Sequence, residues 1–349
     1  MNINTVLGEI DKDSLGIISP HEHVYLDRST WLVKNLKDIE KRTITEKKLF
    51  YDKVKISILG DLRINALSVL DNMVLDDEEI AIKEIMEFKK FGGNTIIDQT
   101  NEYMGRDLIA LKNISIITGI NIITSTGHYI EDMHPDYIEI SGEEKLAEEM
   151  IREIKFGIND TNIKAGVIGE IGTSKLVSKN EKKVLRAAAI AQKETNVPLF
   201  IHTWPWGTNG IEILDILEKF NINMDKVVIC HVDGKIDLAY CKELLNRGAF
   251  IEFENFGKDY GYKMDDNFFV VENDLNKIEA IHTLICCNEN NIKKILIATD
   301  ICAKIELKIY GGYGYAHILK NITKYMKIRD FTSNQIKNII EINPKNLLS

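Results

Sequence analysis

Eight apolar runs recur along the chain: Leu15–Ser19, Asn94–Gln99, Asn121–Ser125, Lys164–Gly169, Pro198–Ile201, Lys226–Cys230, Ala249–Phe253 and Lys294–Thr299. Most are continuous and not alternating, as expected of strands buried on both faces. Helical patterns separate most of them. Asp77–Met86 opens with carboxylates in its first turn and is followed by Gly92-Gly93, the start and stop chemistry of a helix. Glu143–Phe156, Glu181–Glu194, Gly210–Phe220 and Leu238–Leu245 repeat the theme. This alternation predicts an α/β chain folded as a parallel (β/α)8 barrel, with residues 1–349 forming a single domain. Two stretches interrupt the rhythm, Arg28–Leu75 after the first strand and Asn255–Asn276 after the seventh. Both leave the C-terminal face of the barrel, where insertions shape or cover a pocket. Thr5–Glu9 reads as a small hairpin on the opposite side, and Ser333–Ile342 as a final helix stopped at Asn343-Pro344.

Five of these runs end on residues that bind metals. The first leads into His21-Glu22-His23, the fourth into Glu170, the fifth into His202, the sixth into His231 and the eighth into Asp300. In a parallel barrel all strand C-termini open onto one mouth, so these residues converge there. His21 and His23 share the two-residue spacing that points both imidazoles the same way. A carboxylate in a stretch as apolar as Ala165–Gly172 is costly unless paired or metal-bound, and Glu170 could bridge two ions through its two oxygens. Four histidines and two carboxylates suffice for two water-activating metal ions. Asp300 could ligate through one oxygen and take the proton of the attacking water on the other. Taken singly, each residue has a plainer explanation as a satisfied core histidine or a buried ion pair. Their shared placement favours the metal site.

Softer candidates lie nearby. Tyr129 follows the third strand and Trp204 the fifth, offering an aromatic wall or simply packing against the insertions. Lys304 and the segment Tyr313–His317 are candidates to read an anionic group on the substrate. Cys230 precedes His231, and strand alternation predicts that it faces the helical layer.

Composition narrows the partners. A net charge of −9 argues against a nucleic-acid or anionic-membrane surface. No apolar stretch approaches the roughly 18 residues needed to cross a bilayer. The N-terminus lacks the features of a secretory signal, and five cysteines without a C-x-x-C fit a reducing compartment; both point to the cytoplasm.

With these residues in place, the chain resembles the phosphotriesterase family of the amidohydrolase superfamily. The resemblance rests on His21-Glu22-His23, Gly169–Ser174, His202, His231 and Asp300, and runs from Thr5 to Pro344. It implies a distorted TIM barrel, a homodimer, and two divalent metal ions, zinc or manganese. It also implies a hydroxide, activated by both ions, that attacks the carbonyl or phosphoryl centre of a small molecule. Carried over by motif, His21, His23 and Asp300 hold the more buried ion, and His202 and His231 the more exposed one. Glu170 stands where the founding phosphotriesterase carries a carbamylated lysine, which resembles the phosphotriesterase-related branch and its N-acyl amidases. Phosphotriester hydrolysis therefore ranks last. Thr126-Gly127-His128-Tyr129 is instead similar to the lactonases, in which a tyrosine leans over the metals. The expected reaction is hydrolysis of a carboxylic ester, lactone or N-acyl amide. A lactonase for sugar lactones, phosphorylated ones included, is the rival among enzymes, and a metal-binding protein without turnover is the rival from another class.

Overall fold

The computed structural model describes residues 2–35, 42–264 and 267–349. Its frame is eight parallel strands: β1 Ile17–Glu22, β2 Gly93–Asp98, β3 Asn121–Thr126, β4 Val167–Gly172, β5 Leu199–His202, β6 Val227–Ile229, β7 Phe250–Phe253 and β8 Ile295–Ile297. They neighbour one another in chain order. The seam between β8 and β1 closes just beyond the strands, where Asp300 N donates to His21 O and His23 N to Ile301 O, each at 3.2 Å. Glu22 locks that seam. Its buried carboxylate accepts from Ser19 Oγ, Thr299 Oγ1, Thr299 N and Ile301 N. The fold is a TIM barrel.

Alternation divides the apolar residues into two cores. Ile18, Ile97, Ile123, Val167, Phe200, Val228, Phe250 and Leu296, one from each strand, fill the barrel interior. Their strand neighbours, such as Ile96, Ile122, Ile168, Ile229 and Ile251, pack outward against the helices. Strands clothed on both faces favour apolar side chains at successive positions, which is why most of their runs are continuous. Helices α1 Glu78–Lys90, α2 Leu108–Thr118, α3 Glu143–Lys155, α4 Lys179–Thr195, α5 Gly210–Leu217, α6 Leu238–Asn246 and α7 Asp274–Cys287 follow β1 to β7. Local chemistry sets their ends. Asp77 caps α1 at Ile80 N, Ser178 and Glu181 form a capping box on α4, and Asn196 ends α4 in left-handed backbone.

The hairpin Asn2–Thr5/Gly8–Asp11 lies under the barrel. Asn4 Nδ2 reaches Ala165 O ahead of β4, and Ile3 joins the interior core. The final helix departs from expectation. Helical structure runs on from Ser333 into the segment Asn343–Leu348, where Pro344 occupies the first turn. Pro344 has no N–H to give the turn before it, and that turn, Asn338–Ile342, is wound as a π-helix. Asn343 Nδ2 pins the junction to Ile292 O and Ile295 O.

Both insertions stand on the C-terminal face. The first contains the helices Ser29–Asn35, Ile44–Phe50 and Leu59–Ile64. It builds a core of its own from Leu32, Phe50, Leu62 and Met73, joined by Tyr260 of the second insertion. The second folds the hairpin Gly261–Met264/Asn267–Val270.

The turn after β3 carries a titratable group in a dry setting. His128 is buried among the rings of Tyr103, His134 and Tyr137. Burial, with His134 and Arg106 adding repulsion, pushes its pKa down from 6.5 to about 3. The unfolded chain therefore takes up a proton near pH 6.5 that the fold refuses. Stability present above that value is lost as pH falls towards 3, by about 1.4 kcal/mol per pH unit from this group. Its Nδ1 has no hydrogen-bond partner, so phenylalanine loses no bond at that atom. Urea denaturation between pH 7 and 5 should show His128→Phe losing less stability than the parent. Equal slopes would contradict the assignment.

Candidate active site

All five strand ends deliver their side chains to one place. His21 lies within β1 and His23 follows two residues on; Glu170 lies in β4, and His202 ends β5. His231 and Asp300, beyond β6 and β8, adopt left-handed backbone with φ of 62° and 44°. Among the described residues, the other non-glycine positions of this kind are Asn159, Asn196, Asn221 and Asp330. Asparagine, aspartate and histidine are the non-glycine residues found there most often, and His231 is the one histidine of the set. That conformation costs such a residue about 1–2 kcal/mol. Strain of this sort gathers at functional sites.

Glu170 is the hub. Its Oε1 lies 2.8 Å from His202 Nδ1, 2.9 Å from His231 Nε2 and 3.6 Å from His21 Nε2. Its Oε2 lies 3.9 Å from His23 Nε2. Asp300 Oδ1 is 3.3 Å from His23 Nε2 and 3.8 Å from His21 Nε2. Two sets, His21/His23/Glu170 and Glu170/His202/His231, each bring their ligand atoms within 4.8 Å of one another, and Glu170 belongs to both. His21 Nε2 is buried without a hydrogen-bond partner, and His202 Nδ1 and His231 Nε2 stand 2.6 Å apart. A buried orphan nitrogen calls for an explanation, and imidazole and carboxylate donors converging on one point suit divalent cations. The side chains fit a pair of ions sharing one carboxylate.

Beneath them lie two carboxylates that sequence reading missed. Glu252 and Glu254 leave β7 at the inward spacing. His21 Nδ1 is 3.1 Å from Glu252 Oε2 and 3.1 Å from Glu254 Oε2, while Glu254 Oε1 is 2.6 Å from His231 Nδ1. Glu254 lies at ion-pair distance from Nδ1 of both rings while both Nε2 atoms face the centre, an arrangement that resembles the carboxylate support behind a metal-binding histidine. Two acids two residues apart in the apolar run Phe250–Phe256 were the available signal. Cys230 also faces the interior, with Sγ 3.4 Å from Glu252 Oε2, not the helical layer. The strand ends at Ile229 and His231 turns left-handed, so simple alternation fails there.

Electrostatics keep Glu170, Asp300 and His231 charged, while burial disfavours charge on His202. Burial pushes the Glu170 carboxyl up, but His202 and His21 beside it hold it well below the usual carboxylate range. Burial disfavours charge on His231 too, yet Glu254 and Glu170 raise it to about 10. Asp300 is buried, and Lys258 overrides that burial to keep it ionised. Lys258 Nζ sits 2.5 Å from Asp300 Oδ2 and 3.4 Å from Glu306 Oε1. Sequence reading missed this lysine because it lies in the second insertion, where no periodicity marks it.

Above the cluster opens a cavity of about 240 Å³. Tyr129 and Trp204 line it, as do Arg28 and Trp31 of the first insertion and Lys258 and Tyr262 of the second. Tyr129 OH lies 3.4 Å from His202. Lys304, Tyr313 and His317 are not in that wall. Lys304 turns away to pair with Asp71 at 2.8 Å. His317 bonds Asp274 at 2.8 Å and stacks on the half-exposed Tyr313. The same segment supports the site indirectly, since Tyr315 OH donates to His23 O at 2.8 Å.

A TIM barrel whose strand ends converge in this way defines a hydrolase that works through metal ions. The comparisons agree. The phosphotriesterase family model matches residues 1–348. An N-acetyltaurine hydrolase of Dictyostelium discoideum is 33% identical over 99% of this chain and 97% of its own length. A phosphotriesterase-related protein of Nematostella vectensis is 35% identical, with the same coverage. Among solved structures, a resiniferatoxin-binding protein from Rhodobacter sphaeroides superposes with a TM-score of 0.93 at 30% identity, covering 100% of this chain and 95% of that one. The chain belongs to the phosphotriesterase family, whose enzymes depend on two metal ions. It is a metal-dependent hydrolase of ester, lactone or amide bonds. Among the described residues no helix is long and apolar enough to cross a membrane.

Proposed function

We propose that this chain hydrolyses the amide bond of small N-acyl amines. His21, His23 and Asp300 would hold one divalent ion, His202 and His231 the second, with Glu170 shared. When bound, ions such as zinc or manganese acidify water and polarise a carbonyl oxygen. The chain's own groups do the rest. Glu254 fixes two of the imidazoles, and the aromatic wall of the cavity orients the acyl compound and sheds water. Asp300, kept ionised by Lys258, takes the proton of the attacking water and returns it to the leaving nitrogen. The new carbon–oxygen bond replaces the carbon–nitrogen bond, releasing a carboxylate and an amine. No protein nucleophile is required.

The observation carrying this reading is the Glu170-centred donor set with its orphaned His21 Nε2. The full-length similarity to an N-acetyltaurine hydrolase supports the choice of amides. Lactones are the second reading, favoured by Tyr129 leaning over His202. Free thiols at all five cysteines support a reducing compartment, the cytoplasm. The test is turnover by zinc- or manganese-loaded protein on N-acetyltaurine, N-acyl amino acids, γ-lactones, aryl esters and paraoxon. Chelator-sensitive cleavage concentrated on the amides is expected. Cleavage confined to lactones would transfer the assignment to the second reading, and silence with metal bound would sink both.

A further inference from the structure

The geometry points to Arg28 as the residue that reads an anionic headgroup on the substrate, a sulfonate or carboxylate at the amine end of an N-acyl amine. This rests on the amide reading above and adds what selects the substrate. Arg28 opens the first insertion and is held at its backbone, where N donates to Met73 O at 3.0 Å. Its guanidinium lines the same cavity as His23, Glu170, His202, His231 and Asp300. There Nη2 donates to the Cys302 carbonyl at 2.9 Å, while Nε is buried without a partner. A guanidinium offers five N–H donors in a planar fork, so most of its capacity remains unspent.

What sets Arg28 apart is the lack of a carboxylate in direct contact. Among the described residues, no carboxylate lies within 4.0 Å of it, the reach of an ion pair. Lys258, also in the wall, is taken by Asp300 and Glu306. Nearby Lys304 is taken by Asp71, and buried Lys277 by Asp233 and Asp274. The wall's acids are committed elsewhere or out of range. Glu170 serves the histidines, Asp300 serves Lys258, and Asp132 is not within ion-pair distance of Arg28. Arginine keeps its charge when buried, so one with no carboxylate in direct contact inside a pocket is open to an incoming anion. A sulfonate or carboxylate presents two or more oxygens that match the fork. The flanking Trp31 and Tyr262 give an aromatic lining to the short alkyl spacer between headgroup and amide. The cavity, about 240 Å³, has room for a molecule of this size.

The test uses metal-loaded full-length protein. Ethanesulfonate binding by calorimetry reads the headgroup site without turnover. Kinetics on N-acetyltaurine, N-acetyl-β-alanine and the neutral N-ethylacetamide read selection. Arg28→Met should weaken ethanesulfonate about 10-fold or more and lower the preference for the anionic amides by a similar factor, through KM and not kcat. Arg28→Lys should retain part of both, and guards against a folding defect in the first variant. Loss for N-acetyltaurine alone would assign the site to sulfonates, and for N-acetyl-β-alanine alone to carboxylates. Unchanged ethanesulfonate affinity in Arg28→Met, or an unchanged preference, would overturn the proposal. Ethanesulfonate binding that depends on Arg28, with no amide cleaved by the parent protein, would overturn the amide reading and leave the headgroup site standing.

Discussion

Asp300→Asn is expected to lower kcat by about 100-fold or more while the protein still folds. The substitution keeps shape and an oxygen facing His23 but removes the carboxylate that accepts a proton. General-base loss costs on the order of 10²–10⁴ in rate. Folding should survive, because Lys258 keeps Glu306 at 3.4 Å as a second partner. Steady-state kinetics with a melting curve on the same preparation would check both halves. Near-normal turnover would remove Asp300 from the proton path and leave it a ligand only.

Glu254→Gln should weaken metal binding about 10- to 100-fold, the range found when the partner behind a ligand is lost. Glu254 stands behind two imidazoles at once, 3.1 Å from His21 Nδ1 and 2.6 Å from His231 Nδ1. An amide there can present an oxygen to one ring but cannot supply the charge that holds both. Competition against a chromophoric chelator measures the loss without using activity. Glu254→Asp, keeping the charge on a shorter arm, should fall between. Undiminished affinity in Glu254→Gln would mean that packing alone orients the rings.

The barrel was legible because strands covered on both faces are apolar at most positions, so most of the eight runs stand out as continuous stretches. Their ends were legible because His21, His23, Glu170, His202, His231 and Asp300 interrupt or close apolar stretches where nothing but a partner would tolerate them. The supporting shell was harder. Glu252 and Glu254 sit in the seventh run itself, but their acids read as ordinary until the fold sets them behind His21 and His231. Cys230 was misplaced because the left-handed turn at His231 breaks a two-residue alternation, and sequence alone does not reveal that turn. Lys304 was misread through its closeness to Asp300 along the chain. The short helical turn Lys304–Glu306 points it at Asp71, far away in sequence. Lys258 and Arg28 were passed over because they lie in the insertions, where side chains answer to the pocket and not to any periodic surface.

The most direct test of the account is a metal add-back titration. Protein stripped by chelator is assayed on N-acetyltaurine as zinc or manganese is returned in fractions of an equivalent. No turnover is expected in the stripped protein, with activity rising until two ions are bound per chain. Full activity in the stripped protein, or bound metal with no hydrolysis at any loading, would contradict that expectation.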